Sequence, residues 1–244
     1  MKLLILFGDV ATKAKDTNAA IDFYSRAVKF GTRLLDISPN DIILLASLAH
    51  PLNKAGLSAL SNGDCVTAEK YLSEAVTIIH RMADVNGMFM RDHAFTLTKL
   101  GTAKEEMDKL DEALQCYTTA MQITKELLAA SPDDGKLKWN VYASYEQIGH
   151  IAELKHNYRE AELLYRQSLE ICRTNVKLGT RSLNEDDLAI ALYRLGALPL
   201  QRKATDEQKE YLKEAMSIWK DLYNTTGDIV YKKNYDFAKK ALRR

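Results

Sequence analysis

The stretch that decides the fold reads WNVYASYEQIGHIAEL at residues 139–154 and NYREAELLYRQSL at residues 157–169. Within it, Gly149 is followed after twelve residues by Ala161, and then by Tyr165 and Ser168. The same interval recurs along the chain, with glutamine replacing alanine in the last copy: Gly8 and Ala20, Gly56 and Ala68, Gly101 and Ala113, Gly196 and Gln208. Five copies of one pattern predict a repeat protein.

Close packing of two helices explains this spacing. A glycine in the first helix of a pair and an alanine early in the second let two antiparallel helices approach closely. The large residue four positions after the alanine, and the small residue three positions further on, continue a buried stripe. A glycine inside a helix costs about 1 kcal/mol relative to alanine. Five glycines at matching places therefore indicate a packing requirement.

The pattern resembles that of the tetratricopeptide repeat family, whose helix-turn-helix repeat carries Leu-Gly in its first helix. An alanine, an aromatic residue and a second alanine follow in the next helix, as in Leu100, Gly101, Ala113, Tyr117 and Ala120. The resemblance covers nearly the whole chain and is strongest in the third and fourth repeats. The glycines here are 45 to 48 residues apart, whereas the usual period is about 34, so both helices are expected to be longer.

The resemblance implies an all-α fold, a right-handed superhelical solenoid of antiparallel helix pairs with a C-terminal capping helix. Turn and capping signals divide residues 1–244 into a single array of five repeats, 1–38, 39–86, 87–131, 132–179 and 180–227, and a capping helix, 228–244. Ser182 with Glu185, and Thr205 with Gln208, predict capping boxes. Pro51 is expected to kink its helix, and Pro199 to bend or end another.

Composition bounds the function classes. The formal net charge of +1 offers no field that would attract nucleic acid. The three cysteines, Cys65, Cys116 and Cys172, form no C-x-x-C pair, so reduced thiols in a cytoplasmic protein are expected. No stretch approaches the ~20 apolar residues of a membrane span, and the apolar run Leu3–Phe7 is shorter than a signal peptide requires.

One ligand-like set stands out, and it predicts no metal site. His150, Glu153 and His156 follow one another in steps of three, but the two histidines are six residues apart and do not meet well on a helix. His50, His80 and His93 are isolated in the sequence, and we expect them to be ordinary surface or boundary residues. The sequence holds no phosphate loop and no hydrolase or metalloprotease motif, so we expect neither cofactor nor catalysis.

The remaining chemistry lies on the surface of the first helices, which line the concave groove in this family. Stepping along each helix from its glycine predicts residues of both charge signs mixed with aromatics. The predicted groove residues are Asn53, Lys54, Arg91, Phe95, Lys99, Trp139, Glu146, His150, Tyr193 and Arg194. Aromatic and arginine anchors suit a peptide or protein segment. For Trp139 and Tyr193 the alternative, that they fill contacts between neighbouring helices, stays open.

The sequence therefore predicts a non-catalytic scaffold or adaptor that binds a protein or peptide segment. The alternative is a ligand-sensing regulatory module that switches an attached or partner signalling enzyme. In its long-helix form the pattern is similar to arrays that bacterial signalling proteins attach to NTPase or effector domains. The consecutive apolar residues Leu3–Phe7 point all around a helix, so a homodimer contact or a missing N-terminal domain is expected to cover them.

Overall fold

The computed structural model describes residues 1–39, 41–177, 184–200 and 204–243. Regular structure within these ranges is helical throughout, as the sequence predicts. A short 3-10 helix, Gly87–Phe89, stands before the fifth α-helix. The α-helices are α1 (Lys2–Lys13), α2 (Thr17–Leu35), α3 (Ile42–Ser61), α4 (Cys65–Val85), α5 (Met90–Glu106), α6 (Leu110–Ala130), α7 (Gly135–Leu154), α8 (Tyr158–Lys177), α9 (Glu185–Ala197), α10 (Asp206–Thr226) and α11 (Ile229–Ala241).

The glycine of each first helix lies against a large side chain of the second helix, sixteen residues further on. A Cβ added to Gly149 would come within 2.6 Å of the Tyr165 ring, and one added to Gly101 within 2.6 Å of the Tyr117 ring. Gly8 meets Tyr24 in the same way, while Gly56 and Gly196 meet Leu72 and Leu212. No side chain fits at these positions, which is the packing requirement that the spacing predicts.

The turn inside each described helix pair has one conformation that the sequence pattern did not reveal. Seven residues after the glycine, the backbone adopts a left-handed conformation. The next N–H bonds back to the carbonyl five residues earlier, as from Asn157 to Ala152 at 2.8 Å, which is the hydrogen bond of a Schellman motif. The left-handed positions are Lys15 (φ 60°), Gly63 (φ 75°), Asp108 (φ 59°) and His156 (φ 58°).

The positions of two prolines and of one capping box can be compared with the sequence expectations. The helix α3 is continuous from Ile42 to Ser61, with Pro51 inside it and buried; the expected kink at Pro51 stays a prediction. The helix α9 ends at Ala197, before Pro199, as predicted. Its capping box joins Asn184 and Asp187 and not Ser182 and Glu185; Ser182 lies outside the described residues.

The chain forms two compact units, Met1–Leu127 and Leu128–Arg244. In the first unit, buried residues of α2, α3 and α4 cluster together, among them Val28, Leu48 and Ile79. In the second unit one larger cluster joins α7 to α11. Its deepest large side chains include Tyr165, Leu192 and Leu212. The division into five repeats and a cap within a single array stays a prediction.

The last helix, α11, covers one side of the second unit. Ala238 is fully buried in the cluster, and Tyr231, Tyr235 and Leu242 pack partly against it. These four residues follow one another in the sequence at steps of four, three and four, which places them on one side of a helix. The opposite side of α11 carries lysines, and it also exposes Phe237.

The apolar run at the start of α1 is half covered. Leu4 and Ile5 are partly buried, whereas Leu3, Leu6 and Phe7 are exposed. Among the described helices, none combines the length and the apolar character that crossing a membrane requires.

Candidate functional site

The predicted groove residues of the first unit lie on α3 and α5. A hydrogen bond from the Thr96 hydroxyl to Asn53 Oδ1, 3.0 Å long, ties α5 to α3. Arg91, Phe95 and Lys99 follow at intervals of four along α5 and therefore share one face of that helix. The ring of Phe95 is 47% exposed, and Lys99 Nζ lies 5.6 Å from its centroid. We call Lys54, Arg91, Phe95 and Lys99 the basic face.

The predicted groove residues of the second unit lie on α7 and α9. Trp139 is 42% exposed, and its indole N–H donates to Asp187 Oδ1 at 3.4 Å. Tyr193 packs against the ring of Trp219, with centroids 5.8 Å apart, and is only partly exposed. Trp139 is therefore available at the surface, while Tyr193 is occupied with a neighbouring helix.

Glu146, His150 and Arg194 meet in one polar cluster with Glu153, Tyr165 and Ser168. Arg194 Nε lies 3.7 Å from Glu146 Oε2, and its Nη1 lies 3.9 Å from Glu153 Oε2 and 3.4 Å from His150 Nδ1. The Ser168 hydroxyl donates to Glu146 Oε1, and the Tyr165 hydroxyl donates to Glu153 at 2.9 Å. The cluster therefore joins α7, α8 and α9.

The pKa values of the two carboxyl groups in this cluster are shifted in opposite directions. Burial raises the pKa of Glu146 to about 7, against the opposing influence of the Ser168 bond and the charges of Arg194 and His150. Its Oε2 atom is buried and accepts no hydrogen bond. Burial also acts to raise the pKa of Glu153, but the bonds from His150 and Tyr165 and the Arg194 charge hold it below its ordinary value. In Glu146, therefore, burial disfavours the charged form more than its partners stabilise it.

His156 takes no part in this cluster. The helix α7 ends at Leu154, and His156 occupies the left-handed turn position, where its Nδ1 lies 2.8 Å from the Tyr158 hydroxyl. No group of three or more histidine, cysteine or acidic residues in the described ranges could hold a metal ion. The cysteines Cys65, Cys116 and Cys172 are free thiols.

Sequence reasoning missed one contact in the first unit, between the buried His93 and the exposed His80. His93 is buried, and its ring stacks on that of His80, with centroids 5.1 Å apart. Burial is the main cause that lowers the pKa of His93, and the neighbouring His80 lowers it further. The surface or boundary prediction is therefore wrong for His93, whereas His80 is exposed as expected; the two rings are in contact and not isolated. The spacing of thirteen residues between them carries no helical signal, so the sequence alone gave no indication of the contact.

The structure resembles solved helical repeat proteins, although no protein-family model and no curated protein sequence matches the chain. The apo form of RapI superposes with a TM-score of 0.61 at 13% identity over 99% of this chain and 80% of that one. A putative kinesin light chain with TPR-like repeats from Podosopora anserina gives a TM-score of 0.66 at 14% identity, over 91% of this chain and 96% of that one.

A third structure was solved with a peptide bound. It is the Rap conjugation gene regulator of the plasmid pLS20 in complex with the Phr* peptide, with a TM-score of 0.56 at 16% identity. The superposition covers 96% of this chain but only 56% of that regulator. At such identities the likeness establishes the fold. The resemblance to tetratricopeptide repeats and the all-α class are therefore confirmed at the level of fold.

Proposed function

We propose that this chain is a non-catalytic scaffold that binds a peptide or protein segment on the exposed faces of its first helices. The observation that carries the proposal is the basic face, where Phe95 is half exposed between Arg91 and Lys99. A large aromatic side chain on a helix is normally buried when it serves packing alone. An exposed aromatic beside cations is the composition of a binding anchor.

The second unit offers an anchor of different chemistry. Trp139 is exposed beside Asp187, and the neighbouring polar cluster contributes Glu146, Glu153 and Arg194. Each unit by itself thus offers one exposed aromatic side chain, with a cation beside Phe95 and a carboxylate beside Trp139. Support at the level of fold comes from the peptide-bound conjugation gene regulator. We place this function in the cytoplasm because the thiols are free.

A peptide selection tests the proposal. Peptides would be selected from a random phage-displayed library on the intact chain, and their affinities measured for Phe95→Ala and for Phe237→Ala. Phe237 is also an exposed phenylalanine, but it lies on α11. We expect the Phe95 variant to lose about 2 kcal/mol of binding free energy and the Phe237 variant to bind as the original chain does. Equal loss in both variants, or no enrichment of peptides, would contradict the proposal.

The same peptides separate the two roles left open for Trp139. If it is an anchor, Trp139→Ala weakens binding while the folded protein keeps its thermal stability. If it fills a contact between helices through Asp187, the variant melts at a lower temperature and its folded fraction keeps full affinity. In the second case Trp139 on α7 is not a binding anchor, and Phe95 on α5 remains the proposed anchor.

The alternative function, a ligand-sensing module that switches a signalling enzyme, is favoured by one observation. The polar cluster joins three consecutive helices through residues that carry charge, so a ligand that pairs with Arg194 or Glu146 would alter the contact between α7 and α9. A sensor changes its solution-scattering curve when a selected peptide is added, and a rigid adaptor keeps the same curve.

A further inference from the structure

Each first helix after α1 buries the same three positions relative to its glycine. These positions lie five residues before the glycine, one before it and two after it. In α3 the residue one before the glycine, Ala55, clusters with Ala20 and Tyr24 of the preceding pair. In α5 the corresponding Leu100, with Ala103 two after the glycine, clusters with Ala68 and Leu72 of α4. In α3 and α5 these positions therefore form the surface by which the helix pair stacks on the pair before it.

In α1 the same three positions are occupied by Leu3, Phe7 and Val10, and all three are exposed. The helix α2 shows the same contrast. Its exposed Phe30 and Leu34 correspond to Ile78 and Met82 of α4, which are buried in a cluster with Val28 of the preceding pair. We call Leu3, Phe7, Val10, Phe30 and Leu34 the N-terminal stacking face; their side chains are 39% to 62% exposed.

We propose that the N-terminal stacking face binds the same face of a second copy of this chain. The face has the residue positions of a helix-packing surface, and a two-fold contact lets both copies bury it at once. About half of a surface of roughly 200 Å² is exposed on each of the five side chains, so a symmetric contact that covers them in both copies removes about 1,000 Å² of surface from water. That area reaches the lower limit of specific protein interfaces.

The charges around this face predict how the contact responds to salt. Lys2 and Arg33 directly precede Leu3 and Leu34 in the sequence, Lys13 follows Val10 after one helical step of three residues, and all three cations are exposed. In a symmetric contact, the cations of one copy approach those of the other, and their repulsion is screened by salt. Self-association is therefore stronger at high ionic strength. An anionic membrane or an acidic partner helix would bind this face more weakly as salt is added.

Sedimentation of the intact chain over a concentration series, at low and high salt, tests the proposal. We expect a reversible dimer whose dissociation constant falls as salt rises. Phe7→Glu and the milder Leu3→Gln should each weaken dimerisation by ~30-fold or more. Val66→Glu changes an exposed valine on α4 and should leave it unchanged. Helical circular dichroism verifies that each variant is folded.

Three results would overturn the proposal. The first is a chain that stays monomeric at every concentration and both salt conditions. The second is a dimer that Phe7→Glu and Leu3→Gln leave intact. The third is a monomer that binds vesicles containing phosphatidylserine and releases them in salt, which would assign the face to a membrane surface. None of these outcomes touches peptide binding at Phe95, so the two proposals fail separately.

Discussion

Gly149 lies where the ring of Tyr165 leaves no space for a methyl group. Helix propensity alone favours alanine there by about 1 kcal/mol, but overpacking a filled contact costs about 1–3 kcal/mol. We expect Gly149→Ala to lower the free energy of unfolding in urea. Gly87→Ala is the matched control because a Cβ at Gly87 meets nothing within 4 Å. A Gly149 variant as stable as the control would show that Tyr165 can move aside.

Glu146 gives the stability a pH dependence. Its pKa rises from 4.5 to about 7 on folding, so the folded chain holds a proton there that the unfolded chain releases. The free energy of unfolding therefore falls as pH rises from 4.5 to 7, by about 3 kcal/mol at most, and stays at the lower level above pH 7. Lysine, histidine and other acidic groups add their own slopes, so the effect is read as a difference between variants.

Glu146→Gln isolates this effect. The amide oxygen can still accept the Ser168 bond, and no charge is left to desolvate. We expect the variant to be more stable than the original chain at pH 8 and to approach it near pH 4.5, in urea unfolding at each pH. The retained Arg194 contact with Glu153 limits the loss of charge pairing. A variant that is less stable than the original chain at pH 8 would show that the Glu146 carboxylate stabilises the fold through Arg194.

At the scale of elements, the turn between paired helices has one backbone requirement. Lys15 adopts the left-handed conformation that Gly63 adopts in the next pair, and this conformation costs a non-glycine residue about 1 kcal/mol. We expect Lys15→Gly to raise the melting temperature. Lys29→Gly, at an exposed position inside α2, should lower it by the usual helix penalty. If both variants are destabilised, the Lys15 side chain contributes more than its backbone strain costs.

The helices themselves were predictable, because glycine, alanine and a large residue repeat at a fixed spacing and each pair packs locally. The sequence also placed the inner side of α11 correctly. The turn conformation could not be read from it, because Lys15, Asp108 and His156 are not the residue types that favour a left-handed backbone most strongly. Pro51 lies inside the continuous α3, and the kink expected there stays a prediction.

At the scale of the whole molecule, the candidate site was only partly predictable. Stepping from each glycine identified exposed residues such as Phe95 and Trp139. Glu146 lies 3.7 Å from Arg194, which is 48 residues away in the next pair. A spacing pattern within one helix carries no information on which side chains of two stacked pairs meet. Whether these residues bind a partner stays a prediction.

Three tyrosine rings are held at both ends. Tyr24, Tyr117 and Tyr165 each lie against a helix glycine, and their hydroxyls donate to Asp9, Glu105 and Glu153 at 2.7 to 2.9 Å. A ring held in this way can rotate about its own axis only when the two helices separate. Slow rotation would make the two edges of each ring magnetically inequivalent, so these aromatic signals would report, in solution, how often each helix pair opens.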